Sequence, residues 1–158
     1  MAHIILQKCA KMKPMKIALV LDDRLDRPGG VQEYVLGLYQ YLRQRNQEVK
    51  ILTSGRYSSF FRKKYPVVGF GGYSWEIKSY GGQTSIHFLL GAKKVAKFLD
   101  QEKFDLFHLQ GPFGLLGRLV LENSQGVNIV TFHVTHSPFY NLLSRSFRPY
   151  FSLFKKKI

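Results

Sequence analysis

Three short stretches hold the side chains whose types and spacing could do chemistry. The first, Asp26-Arg-Pro-Gly-Gly-Val-Gln-Glu33, sets two adjacent glycines directly before a helical pattern. Paired glycines open backbone conformations closed to other residues and keep side chains away from an approaching ligand. The free N–H groups and dipole of a helix start favour an anion such as a phosphate. The same spacing also fits a plain tight turn, with Glu33 a first-turn acid supporting the helix. It is neither G-x-G-x-x-G nor a Walker loop, so a dinucleotide site is not expected. The second stretch is His108-Leu-Gln-Gly-Pro-Phe113 and the third is Thr131-Phe-His133-Val-Thr-His136. A neutral imidazole can donate or accept a hydrogen bond, and so orient a hydroxyl or act as a base. For His108, a lone strand histidine, the expected role is a core histidine satisfied by backbone. His133 and His136 are three apart with no third ligand nearby, and no metal site is expected.

These stretches need a scaffold, and the hydrophobic pattern supplies one. Ile17–Leu21 is an uninterrupted apolar run, as a parallel strand buried on both faces should be. A loop rich in Asp, Pro and Gly follows over 22–30. Apolar positions 31, 34, 35, 38 and 42 then predict a helix over Val31–Arg45. Strands are expected at Val49–Leu52, Leu106–Leu109 and Asn128–Phe132, with short ones at Val67–Phe70 and Thr84–Phe88. Helices are expected at Leu89–Lys103, at Leu115–Asn123 and from Phe139 towards Lys157. Strand and helix in alternation define an α/β fold, a Rossmann-like parallel sheet with helices on both faces. Ligands of such sheets bind beyond the carboxyl ends of the strands. The residues just after Leu21, Leu109 and Phe132 are therefore the candidates, which selects the three stretches above.

Composition narrows the function classes. A chain of 158 residues, 45% hydrophobic and 22% charged, is one globular domain's worth and not a disordered one. One cysteine, Cys9, excludes a disulfide framework and a cysteine-based zinc site. Twenty-four Lys and Arg against ten Asp and Glu leave a net charge of +14, which favours an anionic partner: a phosphorylated ligand, nucleic acid or an acidic membrane leaflet. Lys93, Lys94 and Lys97 cluster on one side of the Leu89–Lys103 helix, beside apolar Leu89, Leu90, Val95, Phe98 and Leu99. Such a cationic amphipathic helix can sit on anionic lipid, though a solvated basic face over the sheet fits it too. The C-terminal stretch interleaves Arg145, Arg148 and Lys155–Lys157 with aromatic residues, which suits a membrane interface or stacking on single-stranded nucleic acid. The N-terminal apolar run Ile4–Leu6 is far short of the roughly 7–15 residues of a signal peptide. A cytoplasmic location, soluble or peripheral on the inner face of the plasma membrane, is expected. Residues 1–14 read as an extension and 15–158 as the domain.

Pro28-Gly-Gly-Val-Gln32 after a Met-Lys-Ile strand, Phe104-Asp-Leu-Phe-His108 through Pro112, and Thr131-Phe-His133 resemble, in this order, the blocks of family 4 glycosyltransferases of the GT-B fold. The likeness is greatest to the phosphatidylinositol mannosyltransferase branch. It implies that Gly29 and Gly30 lie against the donor diphosphate and the acceptor. It implies also that Gln32 helps hold a polar acceptor head group, and that His133 is the active-site histidine near the transferred sugar and the reacting hydroxyl. Gln110 stands where the family often has the second histidine of His-x-His-x-x-Pro, and can still donate and accept. The branch has basic residues on the helix matching Lys93, Lys94 and Lys97, for membrane association.

The resemblance implies a retaining transfer of a hexose, mannose in that branch, from a nucleoside-diphosphate sugar to a lipid-linked or polyol acceptor, without cofactor or metal. A complete enzyme of this fold has a second domain that carries the nucleotide pocket and a Glu-x7-Glu motif. This sequence reads as the acceptor-side half, with the donor domain absent and no activity expected without one. Two other classes fit the charge alone: a non-catalytic basic module on a membrane surface, and a nucleic-acid-binding α/β domain. No nucleic-acid motif is present, so nucleic acid is the least expected partner.

Overall fold

The computed structural model describes residues 13–54, 59–79, 82–89, 91–111 and 114–133. Most of the 1–14 extension, His136 and the helix expected from Phe139 lie outside the described residues. In chain order the elements are β1 (Lys16–Leu21), α1 (Gly30–Gln44), β2 (Glu48–Thr53), α2 (Ser59–Lys64), β3 (Val67–Gly69), β4 (Gly71–Ser79), β5 (Gly82–Leu89), α3 (Ala92–Glu102), β6 (Leu106–Gln110), α4 (Leu115–Asn123) and β7 (Val127–Thr131). Five strands form one parallel sheet in the order β3-β2-β1-β6-β7, and β4 pairs with β5 in an antiparallel hairpin.

The sheet's two faces follow from alternation along β1. Ile17, Leu19 and Leu21 join Val35, Val49 and Ile51 beneath α1 and α2. Ala18 and Val20 join Leu52, Phe107 and Leu109 beneath α3 and α4, which add Val95, Leu99, Leu116 and Val120. Each Leu, Ile or Phe buried in this way contributes about 1.5–3 kcal/mol, so these two clusters dominate the fold's stability. Between β1 and β6 the chain's progress across the sheet reverses, and the crevice at the carboxyl ends of those two strands is where open α/β sheets bind ligands.

At the amino ends the sheet is tied by ions. Glu102, at the end of α3, accepts hydrogen bonds from Lys16 at 2.7 Å and Lys50 at 2.6 Å. The Lys16 and Lys50 hydrogen bonds hold its carboxyl below the usual range, and the bond to Glu102 raises the Lys16 ammonium above its own.

The parallel core matches the expected α/β order, with three departures around it. The helix expected from Leu89 begins at Ala92, because Leu89 ends β5 and Gly91, at φ 94°, turns the chain in the left-handed region. The strand expected at Thr84–Phe88 is longer, and it pairs with β4, which carries no apolar run to announce it. α2 is a further addition, a single basic turn and a half.

Candidate functional site

Immediately after β1, the Asp22 carboxylate accepts the backbone N–H groups of Leu116 at 3.1 Å and Gly117 at 2.6 Å. It thus caps α4 from across the sheet, negative charge against the helix's positive end. Glycine at position 114 makes this possible, since a Cβ there would fall 2.1 Å from Asp22 Cγ. The start of α4 is therefore already filled by an anion of the protein's own.

The start of α1 also has a glycine as its N-cap, Gly29, which has no side chain to cap with. Gly29 is extended, at φ 177°, and Gly30 is outside the left-handed region too, so neither glycine is there for an unusual backbone angle. Gly29 is needed for space, because a Cβ would come 2.3 Å from Gln32 Oε1. A Cβ on Gly30 would meet nothing within 4 Å. Gln32 is buried, 8% exposed, and its amide donates to Asp23 Oδ2 at 3.3 Å and to the Arg24 carbonyl at 3.2 Å. It fastens the loop to the first turn of α1. The Thr53 hydroxyl donates to the Asp23 carbonyl, and Arg24 forks onto Asp26 at 3.0 and 3.1 Å, so the loop is held before any ligand arrives.

One turn beyond Gly30, Tyr34 leans over the ends of β6 and β7. Its ring meets His133 edge-on at 5.2 Å between centroids and His108 at 6.4 Å. By its helical spacing Tyr34 belongs to the apolar stripe, yet it is 43% exposed and faces the histidines, not the core. His108 is half-buried, its Nε2 2.7 Å from the Thr131 hydroxyl, a side-chain partner where a backbone one was expected. Burial first, and the nearby His133 second, lower its pKa below the usual histidine value, so it is neutral at pH 7.

His133 Nε2 lies 2.6 Å from Gln110 Oε1. An amide oxygen only accepts, so Nε2 is the donor in this contact, and in the Nε2–H tautomer Nδ1 is an acceptor. Gln110 is 5% exposed, and its Nε2 is buried with no hydrogen-bond partner among the described residues. A buried amide donor without a partner is uncommon in a finished core and marks a place where a polar ligand can complete the bonding.

The sequence-predicted residues thus fall into two groups. Gly29, Gly30, Gln32, Gln110 and His133 gather at the carboxyl ends of β1, β6 and β7, joined by Tyr34 and His108. Lys93, Lys94 and Lys97 are exposed on α3, over the sheet's other face. The apolar side of α3 is not available to lipid, because Val95 and Leu99 are buried and Phe98 packs on Phe70 and Phe104. That helix can offer a membrane charge only. Among the described residues, no group of three or more His, Cys, Asp or Glu is placed to hold a metal, and no helix is long and apolar enough to cross a membrane.

Fold and site together define a Rossmann-like α/β domain with a glycine at the N-cap of its first helix and a histidine–glutamine pair at its switch point, consistent with one half of a GT-B fold. The profile of Glycosyltransferase Family 4 matches residues 28–158, and the chain belongs to that family. Among relatives, the phosphatidyl-myo-inositol mannosyltransferase of Propionibacterium freudenreichii is 35% identical over 103 residues, covering 62% of this chain and 27% of that protein. The protein of the same name from Mycolicibacterium smegmatis is 31% identical over 140 residues, 86% of this chain and 36% of its own length. The one from Mycobacterium tuberculosis is 29% identical over 123 residues, 77% and 32% respectively. The chain thus spans between 27% and 36% of the length of these relatives. An exopolyphosphatase-related protein from Bacteroides fragilis superposes with a TM-score of 0.44 at 18% identity, over 87% of this chain and 36% of that one.

Proposed function

We propose that this chain is the acceptor-side part of a retaining glycosyltransferase, moving a hexose from a nucleoside-diphosphate sugar to a hydroxyl of a lipid-linked or polyol acceptor. The relatives' names make mannose and phosphatidyl-myo-inositol the first donor sugar and acceptor to test. The observation that carries the reading is the pairing of His133 with a Gln110 amide whose second half is buried and has no partner among the described residues, with Tyr34, one turn beyond Gly30, edge-on to the His133 ring.

In this reading Nδ1 of His133 accepts a hydrogen bond from a neighbouring hydroxyl of the bound sugar or acceptor. The reacting hydroxyl is left aimed at the anomeric carbon, with its own proton towards the leaving phosphate. The bond from acceptor oxygen to that carbon forms as the bond to the leaving phosphate breaks, on the same face of the sugar. The hydroxyl proton passes to the leaving phosphate oxygen. His133 orients and does not attack. The N–H groups at the start of α1 stabilise the charge that grows on the phosphate, an effect of about 3–4 kcal/mol where such donors are preorganised. Gln110 Nε2 and the Gln32 wall hold the acceptor's other hydroxyls. A second domain supplies the nucleotide pocket, and the chain alone transfers nothing. Lys93, Lys94 and Lys97 hold the enzyme on an anionic membrane surface, at the cytoplasmic inner face, through charge alone.

The test is a fusion of this chain to the C-terminal part of the Mycolicibacterium smegmatis relative. Mannose transfer from a nucleoside-diphosphate mannose to phosphatidyl-myo-inositol is then measured beside other hexose donors and free polyols. Transfer to any of these acceptors supports the reading. A folded fusion that binds donor but transfers to none of them refutes it.

A further inference from the structure

Tyr34 belongs to neither core cluster and is 43% exposed, although its chain neighbour Val35 is fully buried beneath α1. Val35 fastens this turn of the helix to the sheet, so Tyr34 stands on a fixed support at the rim. Its ring lies against two imidazoles: His133 at 5.2 Å with 66° between the planes, and His108 at 6.4 Å and 89°. Both separations fall in the range of roughly 4.5–7 Å over which tilted aromatic pairs attract, by about two- to tenfold in an equilibrium.

The two histidines differ in what else holds them. His108 lies within β6, half-buried, with its Nε2 2.7 Å from the Thr131 hydroxyl. His133 is exposed and lies two residues past the end of β7, beyond the bond from the Gly111 N–H to the Thr131 carbonyl at 3.0 Å. Its Nε2 donates to Gln110 Oε1 at 2.6 Å, and Gln110 is itself buried, so that tether is fixed at its far end. A ring tethered at one nitrogen can still swing about the bond, which carries Nδ1 into and out of the site. A second contact away from that axis removes the swing, and Tyr34 supplies it.

We propose that Tyr34 is a positioning residue, holding the His133 imidazole so that Nδ1 faces the bound sugar or acceptor. What Nδ1 meets rests on the transfer reading above; the contact between the rings does not. Tyr34 acts through the histidine, and it does so with its ring. Phenylalanine should therefore serve as well, and an aliphatic side chain should not. Misplacement by about 1 Å at a reacting centre can cost on the order of a hundredfold in rate, so a loosened ring should be felt in turnover.

The experiment compares the full chain with its Tyr34→Phe and Tyr34→Leu variants, each isotope-labelled in the histidine rings. Because Tyr34 lies outside the core, both variants should melt close to the unaltered chain. Should Tyr34→Leu melt early, Tyr34→Met replaces it. Ring-carbon relaxation by NMR reads the order of the His133 ring, with His108, held by Thr131, as the internal reference. Relaxation is the readout because loss of any aromatic ring shifts neighbouring signals without moving them. The same three forms, fused to the C-terminal part of the Mycolicibacterium smegmatis relative, are assayed for transfer. Tyr34→Leu should loosen the His133 ring and lower kcat by roughly tenfold or more, with KM for the donor within about twofold, and Tyr34→Phe should keep both near normal. A His133 ring equally ordered in Tyr34→Leu overturns the inference, whatever the fusion does. A loosened ring in an active fusion whose kcat matches that of Tyr34→Phe overturns it too, since the orientation would then not matter to transfer. A fusion inactive in all three forms counts against the transfer reading alone. Ring order lost in Tyr34→Leu and kept in Tyr34→Phe would still support Tyr34 as the residue that holds His133.

Discussion

Asp22 and Gly114 form one structural unit although they lie on different elements of the sheet's rim. The Asp22 carboxylate caps α4 only because residue 114 has no Cβ to occupy the same space. Losing a cap of this kind costs about 0.5–2 kcal/mol. Gly114→Ala should cost at least that much, by pushing the carboxylate away from the helix start. In an Asp22→Gly background the collision partner is gone, and the same substitution should cost much less. Denaturant melts of the two single variants and the double variant check this, and additive losses would contradict it.

The two glycines before α1 should behave oppositely. Gly29→Ala should lower the melting temperature, because the new Cβ collides with Gln32 Oε1. Gly30→Ala should leave stability unchanged or raise it by up to about 1 kcal/mol, since alanine suits the first turn of a helix better. In a fusion that restores a second domain, Gly30→Ala should still reduce transfer, by crowding the position assigned to the donor phosphate. Near-normal turnover would make residues 26–33 an ordinary turn.

Stability should be flat in the middle of the pH scale and fall at both ends. The His108 pKa is lowered in the folded chain, so the unfolded state binds more protons below the ordinary value of 6.5 and stability drops as pH falls past it. Glu102, also lowered, adds a further loss as pH falls below 4.5. Lys16 is raised, so its contribution is complete below 10.5 and is lost as pH climbs through its folded value. Melting temperature against pH reads all three. His108→Gln should remove the slope just below 6.5 and leave the more acidic one, and an unchanged slope would show that His108 is not its source.

Replacing Lys93, Lys94 and Lys97 together with Gln should weaken binding to anionic vesicles by about 3 kcal/mol at most, from roughly 1 per charge. Because the apolar side of α3 is already in the core, added salt should remove most of the binding that remains. Binding that survives 1 M salt would require apolar insertion, which α3 is not built to give.

The parallel core is legible because its strands are short apolar runs buried on both faces, such as Ile17–Leu21, and because α1 and α4 show helical spacing. The β4–β5 hairpin is not, since Gly, Ser and Tyr residues carry no clear period. The start of α3 is misread for a related reason: Leu89 and Leu90 continue its apolar pattern, and Gly91 is the one break in the sequence before Ala92, where the helix begins. Within the site, the glycines, Gln110 and His133 are legible from position at strand ends. Tyr34 is not, because an aromatic at helical spacing reads as core. Asp22 gives no local signal at all, as the N–H groups it caps are 94 and 95 residues away.

The central claim is that an acceptor hydroxyl sits at His133, beside the open half of the Gln110 amide. Histidine-labelled chain titrated with micelle-dispersed phosphatidyl-myo-inositol tests it most directly by NMR. The ring signals of His133 and His108 should shift together and saturate, and Gln110→Leu should weaken the binding by about tenfold, through loss of a buried donor. Saturable binding that leaves both imidazole signals unmoved would contradict the account.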